Sequence, residues 1–282
     1  MTLPFVFFQD ISPSLALLRL DLVGGNKPLK LKLNLEFLRQ SSYKRLLTFG
    51  GAHSNHLRAA ALACAQDNIP LVAVVRGEAA TVPSPTLRLL QAHGVEIQFI
   101  SRSEYREKDY TKFQENYPDC YVLPEGGANR LAVLGVSAIM TYFNERPHPD
   151  YLCVCVGTGA TAAGLVHSFW NSNTHIIGYS VLKNGAFLYK DIYNLLCQCR
   201  PEAIWEEFLK KFSLKTDYHF GGYAKTTAEM RLFQTQFEAK HNLRLDQVYT
   251  AKMLYGICNE SAFFKDTKTV ALHTYNPEGE AG

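Results

Sequence analysis

Several things are missing from this chain, and each absence removes a class of function. There is no excess of one charge: 29 basic residues stand against 26 acidic ones. A net charge of +3 over 282 residues is too even for nucleic acid or an anionic membrane as main partner. The seven cysteines include no Cys-x-x-Cys pair, and their odd number does not describe a disulfide framework. Cys153 and Cys155 alternate along a predicted strand, so they share a face as core thiols, and a reducing cytoplasm is expected. No targeting segment is read at the start, because the apolar Leu3–Phe8 lacks a basic flank and is followed by Gln9 and Asp10. The uncharged stretch Tyr151–Trp170 is interrupted by Gly157, Gly159 and Gly164. It reads as a buried strand, a loop and a helix rather than a membrane span. His53 and His56 have no third ligand at a suitable spacing, so no metal is expected. No internal repeat or low-complexity linker is present.

What remains is an ordinary globular composition, 47% hydrophobic and 20% charged, long enough for one large domain or two modest ones. Short apolar runs alternate with helical stretches. Strands are predicted at 45–49, 71–75, 96–100 and 121–123, with helices at 54–66, 85–93, 104–116 and 132–144. The rhythm resumes with strands at 152–156, 175–181 and 269–273. The helices between are 160–170, a broken stretch over 186–212, 226–241 opened by a capping box of Thr226 and Glu229, and 248–264. Continuous apolar strands separated by helices imply a parallel α/β arrangement with both sheet faces covered. Residues 1–40 with 141–282 are expected to form a larger domain, and 41–140 a smaller inserted one.

Three segments carry chemistry. In Gly24-Gly25-Asn26-Lys27 a lysine stands beside two glycines at a helix start, where backbone can approach it closely and the amine can form an imine with an aldehyde. Lys30 and Lys32 read as a solvated helix face. In Thr48–His56 a strand ends and a helix begins, and free N–H groups at such a start bind anions, here a substrate carboxylate. Ser54 is the expected N-cap and is also placed to carry a proton. His53 and His56 read as loop and helix-surface residues, with His56 beside Ser54 and Asn55 at the substrate-binding start. In Val156–Thr161 glycines and threonines follow the most apolar strand, a pattern that wraps phosphate. It lacks the lysine of a P-loop and, with Ala162, the third glycine of a dinucleotide fingerprint.

Together with PEGGANRLAVLG and LDQVYTAKMLYGI, the stretches GGNKPLKLKLNLEFL, FGGAHSNHLRAAALA and GTGATAAGL resemble the family of 1-aminocyclopropane-1-carboxylate (ACC) deaminase and D-cysteine desulfhydrase, in the same order and from about Leu20 to His273. The resemblance implies a two-domain tryptophan-synthase-β-like (fold type II) α/β enzyme using pyridoxal 5'-phosphate. It implies that Lys27 is the Schiff-base lysine. Asn55 then meets the cofactor's ring hydroxyl, Ser54 faces the substrate, and Gly157, Thr158, Gly159, Ala160 and Thr161 cradle the phosphate. Tyr223 and Tyr249 become active-site tyrosines, for which core packing is the plainer account, and a homodimer is implied. The chain departs from longer members by reaching GGNK early, like a shorter bacterial branch in which a segment such as Ser101–Arg106 also occurs. It ends in HTYN where His-Thr-Gly-Gly is usual, so Tyr275 and Asn276 are expected to narrow the site or leave the cofactor less covered. Thr250 stands where ACC ring-opening members carry glutamate beside the pyridine nitrogen. The expected reaction is β-elimination from small D-amino acids such as D-cysteine, giving pyruvate and ammonia. ACC ring opening, amino-acid racemisation, β-substituting synthesis and a catalytically degenerate binder are the alternatives.

Overall fold

The structure is a computed structural model and describes residues 7–20 and 24–274. The expectations for Leu3 to Val6, Tyr275 and Asn276 fall outside the described residues. The described residues form two compact units, one made of those up to Asn26 together with Val136–Thr274, the other of Lys27–Gly135.

The second unit is built on a parallel sheet of β3 (Arg45–Gly51), β4 (Leu71–Arg76), β5 (Glu96–Ile100) and β6 (Cys120–Leu123), in the order β5-β4-β3-β6. Its continuous apolar runs send alternate side chains to the two covered faces. Leu46, Ala73 and Val75 face α1 (Lys27–Gln40) and α2 (Asn55–Gln66), where Leu31, Leu35, Leu57 and Ala60 complete one core. The alternate residues Leu47, Phe49, Val72 and Val74 meet Tyr105 and Phe113 on the opposite face. Strand order reverses between β3 and β6, and ligands of parallel sheets bind beyond the carboxyl ends of strands at such a point. The loops that leave those two ends carry Gly50–Ser54 and Pro124–Gly127.

The first unit holds a six-stranded sheet in the order β1-β2-β10-β7-β8-β9. Its strands are β1 (Phe8–Ser12), β2 (Leu15–Arg19), β7 (Tyr151–Val156), β8 (His175–Ser180), β9 (Phe212–Lys215) and β10 (Thr269–His273). All neighbours are parallel except β1 and β2, a hairpin. Leu17, Cys153, Ile177 and Ala271 face Met253, Leu254 and Ile257 of α11 (Thr250–Asn259). Here the order reverses between β7 and β10, so the loop after β7 and the residue after β10, Thr274, mark the corresponding point.

Several sequence expectations are corrected. The polar helix over 104–116 is two helices, α4 (Arg102–Arg106) and α5 (Tyr110–Asn116), because Asp109 caps the second by accepting from Thr111 N at 2.9 Å. The helix expected at 132–144 is α6 (Arg130–Ser137) followed by a 3₁₀ turn. The capping box of Thr226 and Glu229 does not form. The cap of α10 (Ala228–His241) is Thr227, whose hydroxyl accepts from Met230 N, while Glu229 accepts from Tyr255. Strands β1, β2 and β9 are absent from the sequence expectations: β1 and β9 are short and lie at the sheet's edges, whereas β2 carries a legible apolar run, Leu15–Leu18. No described helix is long and apolar enough to cross a membrane.

Candidate active site

The loop after β7 closes tightly onto α7 (Ala160–Ser168). Gly159 is the N-cap, at φ +85°, and no side chain caps this helix, so the amides of its first turn are left for another acceptor. Gly159 leaves no room for a side chain, since a Cβ would lie 2.8 Å from Ile192 Cγ1; a Cβ on Gly157 would press on the Tyr249 ring, 3.3 Å from Cε1. Thr158 is half-buried; Ala160 and Thr161 are buried. The Thr161 hydroxyl accepts a 2.8 Å hydrogen bond from Asn26 Nδ2. Gly25, at φ +74°, lies so close to the chain after β10 that a Cβ would stand 2.3 Å from the Thr274 carbonyl oxygen. The Gly-Gly-Asn turn is thus fixed to both elements of the switch point, and Lys27 is the next residue in the chain.

Tyr249 and Thr250 open α11 beside this loop. Tyr249 presents its ring to Gly157, and its hydroxyl oxygen is 3.4 Å from where that Cβ would be. Burial, and then the neighbouring Tyr223, raises the Tyr249 phenol well above its ordinary range, so the phenol holds its proton. The two rings meet edge to face with centroids 6.1 Å apart, Tyr223 being exposed. Tyr223 sits in a glycine-rich loop held from below by Lys252, whose amine donates to the carbonyls of His219 and Gly222, each at 2.8 Å. Thr250 is fully buried, and its hydroxyl donates to Asp246 Oδ2 at 2.7 Å.

In the second unit Lys27 is the first residue of α1 and is half-buried. Lys30, one turn on, corrects the expectation of a solvated face. It is 3% exposed and its amine donates to the Gly126 carbonyl at 3.1 Å. Desolvation, then the charge of Lys27, holds that amine well below the lysine range. His56 is likewise core rather than helix surface. The Thr48 hydroxyl donates to the Leu123 carbonyl, so His56 Nε2 is the donor to Thr48 at 2.9 Å. That leaves Nδ1 as a buried acceptor with no hydrogen-bond partner among the described residues. Burial, then the charges of Lys27 and Lys30, pushes the imidazole down to about 3. Ser54 is the N-cap of α2, accepting from Leu57 N at 3.2 Å, and Asn55 is exposed at the first helical position. Gly50 makes room for that cap, since a Cβ there would fall 2.5 Å from Ser54 Oγ.

Uncapped amides and threonine hydroxyls, in a loop whose Gly157 lies against the Tyr249 ring, form a donor set suited to a phosphate monoester. The chemistry adds a lysine next to the turn tied to that loop. These features and the two switch-point sheets define a pyridoxal-phosphate enzyme of the tryptophan-synthase-β-like, fold type II class. The sequence profile of the family "Pyridoxal-phosphate dependent enzyme" matches residues 17–274, and the chain belongs to that family. It is 28% identical over 251 residues, 84% of this chain and 80% of the other, to a provisionally named ACC deaminase of Thermotoga maritima. It is 26% identical to a mitochondrial bifunctional D-cysteine desulfhydrase/ACC deaminase of Arabidopsis thaliana, covering 84% of this chain and 64% of that one. Among solved structures, an ACC deaminase homologue superposes with a TM-score of 0.77 at 24% identity, over 94% of this chain and 85% of that one.

Sequence reasoning gave no role to Asn26, Asp246 and Lys252 and placed Lys30 on the surface. Asp246 had a legible signal, an acidic residue just ahead of a helix start. Buried lysines had none, because a lysine in an apolar pattern reads as surface.

Proposed function

We propose that this protein is a lyase that eliminates the β-substituent from small amino acids of the D-cysteine type, giving pyruvate, ammonia and, from cysteine and water, hydrogen sulfide. Lys27 would hold the cofactor through its aldehyde, and the amides of Gly157–Thr161 would hold its phosphate. On the resemblance, Thr250 would stand nearest the ring nitrogen and Asn55 nearest the ring hydroxyl. The start of α2, with the Ser54 and Asn55 side chains and the backbone N–H groups of Asn55 and His56, would receive the substrate carboxylate, and Ser54 or Lys27 would move the Cα proton. Tyr249, kept protonated by its burial, serves as a hydroxyl donor beside the phosphate loop, with Tyr223 against it. Bound there, the cofactor supplies an electron sink for the charge left at Cα.

The observation that carries this reading is Thr250. It is an uncharged, buried residue, and the resemblance implies that ring-opening members carry glutamate at its position. A weaker sink suits departure of a thiolate, which leaves with the charge, better than opening of a cyclopropane, which has no leaving group. The pairing of both activities in the name of the Arabidopsis relative makes the choice a real one. Initial rates on D-cysteine, L-cysteine and ACC, read as sulfide, pyruvate and 2-oxobutyrate, decide it. D-cysteine is expected to be turned over at least tenfold faster than either competitor. Efficient 2-oxobutyrate release from ACC overturns the argument from Thr250, and interconversion of enantiomers without keto acid makes the protein a racemase.

A further inference from the structure

The loop between β9 and α10 makes two successive turns. The His219 carbonyl accepts from Gly222 N at 3.0 Å, and the Gly222 carbonyl from Lys225 N at 3.1 Å. Phe220 at φ +50° and Ala224 at φ +56° lie in the left-handed region, which is costly for a residue with a Cβ. Such backbone persists where surrounding contacts over-determine it. One side chain reaches both turns. Lys252 comes up from α11 and its amine donates to the same two carbonyls, each at 2.8 Å. It is 1% exposed, so both bonds are made away from water, where hydrogen bonds are stronger. Tyr223 stands inside the second turn, and its ring meets that of Tyr249, which in turn lies against Gly157.

Lys252 is not held there by a carboxylate. Asp246, at the head of the same helix, is committed to the N–H groups of Val248, Tyr249 and Thr250 and to the Thr250 hydroxyl. Burial lowers the Lys252 amine to about 8, and Asp246 and the Cys155 thiol of β7 offset part of that effect. On the loop side, His219 Nδ1 accepts from Gly221 N, and the stems of Lys183 and Lys225 flank Gly222 and Gly221. A methionine would fill similar space with no amine to desolvate, so what the amine adds is its two bonds.

We infer that Lys252 is a positioning residue that clasps both turns of the loop from His219 to Lys225 and so holds Tyr223 against Tyr249, beside the loop of Gly157–Thr161. Its bearing on the reaction rests on the proposed reading of that second loop as the phosphate cradle; its grip on Tyr223 does not. The clasp has a pH signature. Held in the loop, the amine loses its proton at about 8, whereas in an opened loop it meets water and titrates near the ordinary value of about 10.4. Between the two, the open loop binds a proton that the closed loop lacks, so rising pH favours the closed loop. From about pH 7 to about pH 9, opening should become about tenfold rarer.

Hydrogen exchange of the amides of residues 219–225 in the full-length protein reads this opening, when expressed as protection factors that divide out the base-catalysed rate. In Lys252→Met, protection at pH 7 is expected to fall at least tenfold and the pH dependence to vanish. Lys252→Arg keeps a charged donor that does not titrate, and should retain most of the protection without the pH dependence. Should arginine not fit the space, the wild-type profile against Lys252→Met still decides. Unchanged protection in Lys252→Met overturns the clasp, because the turns then hold themselves. A flat wild-type profile overturns it too, as does a rise that Lys252→Met retains, which belongs to another group such as Cys155. Uptake of pyridoxal phosphate is scored separately by absorbance. A wild type that takes up none overturns the proposed function, while the exchange data still judge Lys252.

Discussion

His56 shows how one buried residue can set a pH limit on the fold. Its imidazole is neutral when folded, because burial and the Lys27 and Lys30 charges push its pKa down to about 3, whereas in the unfolded chain it titrates near 6.5. Below pH 6.5 the unfolded chain therefore binds a proton that the folded chain does not. The contribution of His56 to stability is intact above 6.5 and is lost progressively down to about 3, with a limiting slope of about 1.4 kcal/mol per pH unit. In His56→Gln an amide can replace the donor to Thr48 and has no proton to gain. Urea unfolding between pH 7 and 4 should show a shallower loss of stability in the variant. Parallel curves would mean that His56 does not stay neutral.

Among elements, the approach of α6 to α1 fixes the helix that begins with Lys27. A Cβ on Gly135 would stand 2.1 Å from the Leu29 carbonyl oxygen, a collision with backbone that no rotamer relieves. Leu29 is two residues from Lys27, so any retreat of α1 displaces the amine. Gly135→Ala is expected to cost about 1–3 kcal/mol, the usual penalty of overpacking. It should also slow imine formation with added pyridoxal phosphate, followed by absorbance. Unchanged melting and unchanged imine formation would show that the contact is not needed. The same element logic explains Ser54, whose oxygen accepts the Leu57 amide. One lone pair is thereby used for capping, and its hydroxyl proton is left for another acceptor.

At the scale of the whole molecule, a cofactor held by the folded chain and not by the unfolded one must stabilise it. At a hundred times Kd the gain is about 2.7 kcal/mol, which for a chain of this length is a rise of several degrees in Tm. Stripping the cofactor with hydroxylamine should lower Tm by that amount, and adding it back should restore it. Borohydride reduction of the reloaded protein should leave the pyridoxyl group on the peptide containing Lys27. Recovery of the adduct on Lys30 would reassign the attachment. That outcome is disfavoured by the burial of Lys30 and by its bond to the Gly126 carbonyl.

The sequence by itself determined the alternation of apolar strands and helices, hence parallel sheets, because side-chain periodicity and β-branched runs are local properties. It also determined the Gly-Gly-Asn-Lys turn, the Ser54 cap and the glycine loop at Gly157, since each depends on residue types at fixed short spacings. Tertiary structure alone decided which polar residues are buried. Lys30 and His56 lie on helices whose local pattern admits a surface position, and they are enclosed because Gly126 and Gly127 come from 70 or more positions further along the chain. Strand β9 exists because β8 offers it an edge. Asp246 and Thr250 are neighbours in sequence, yet the direction of the proton between them follows from where four donors converge, and only the folded backbone sets that.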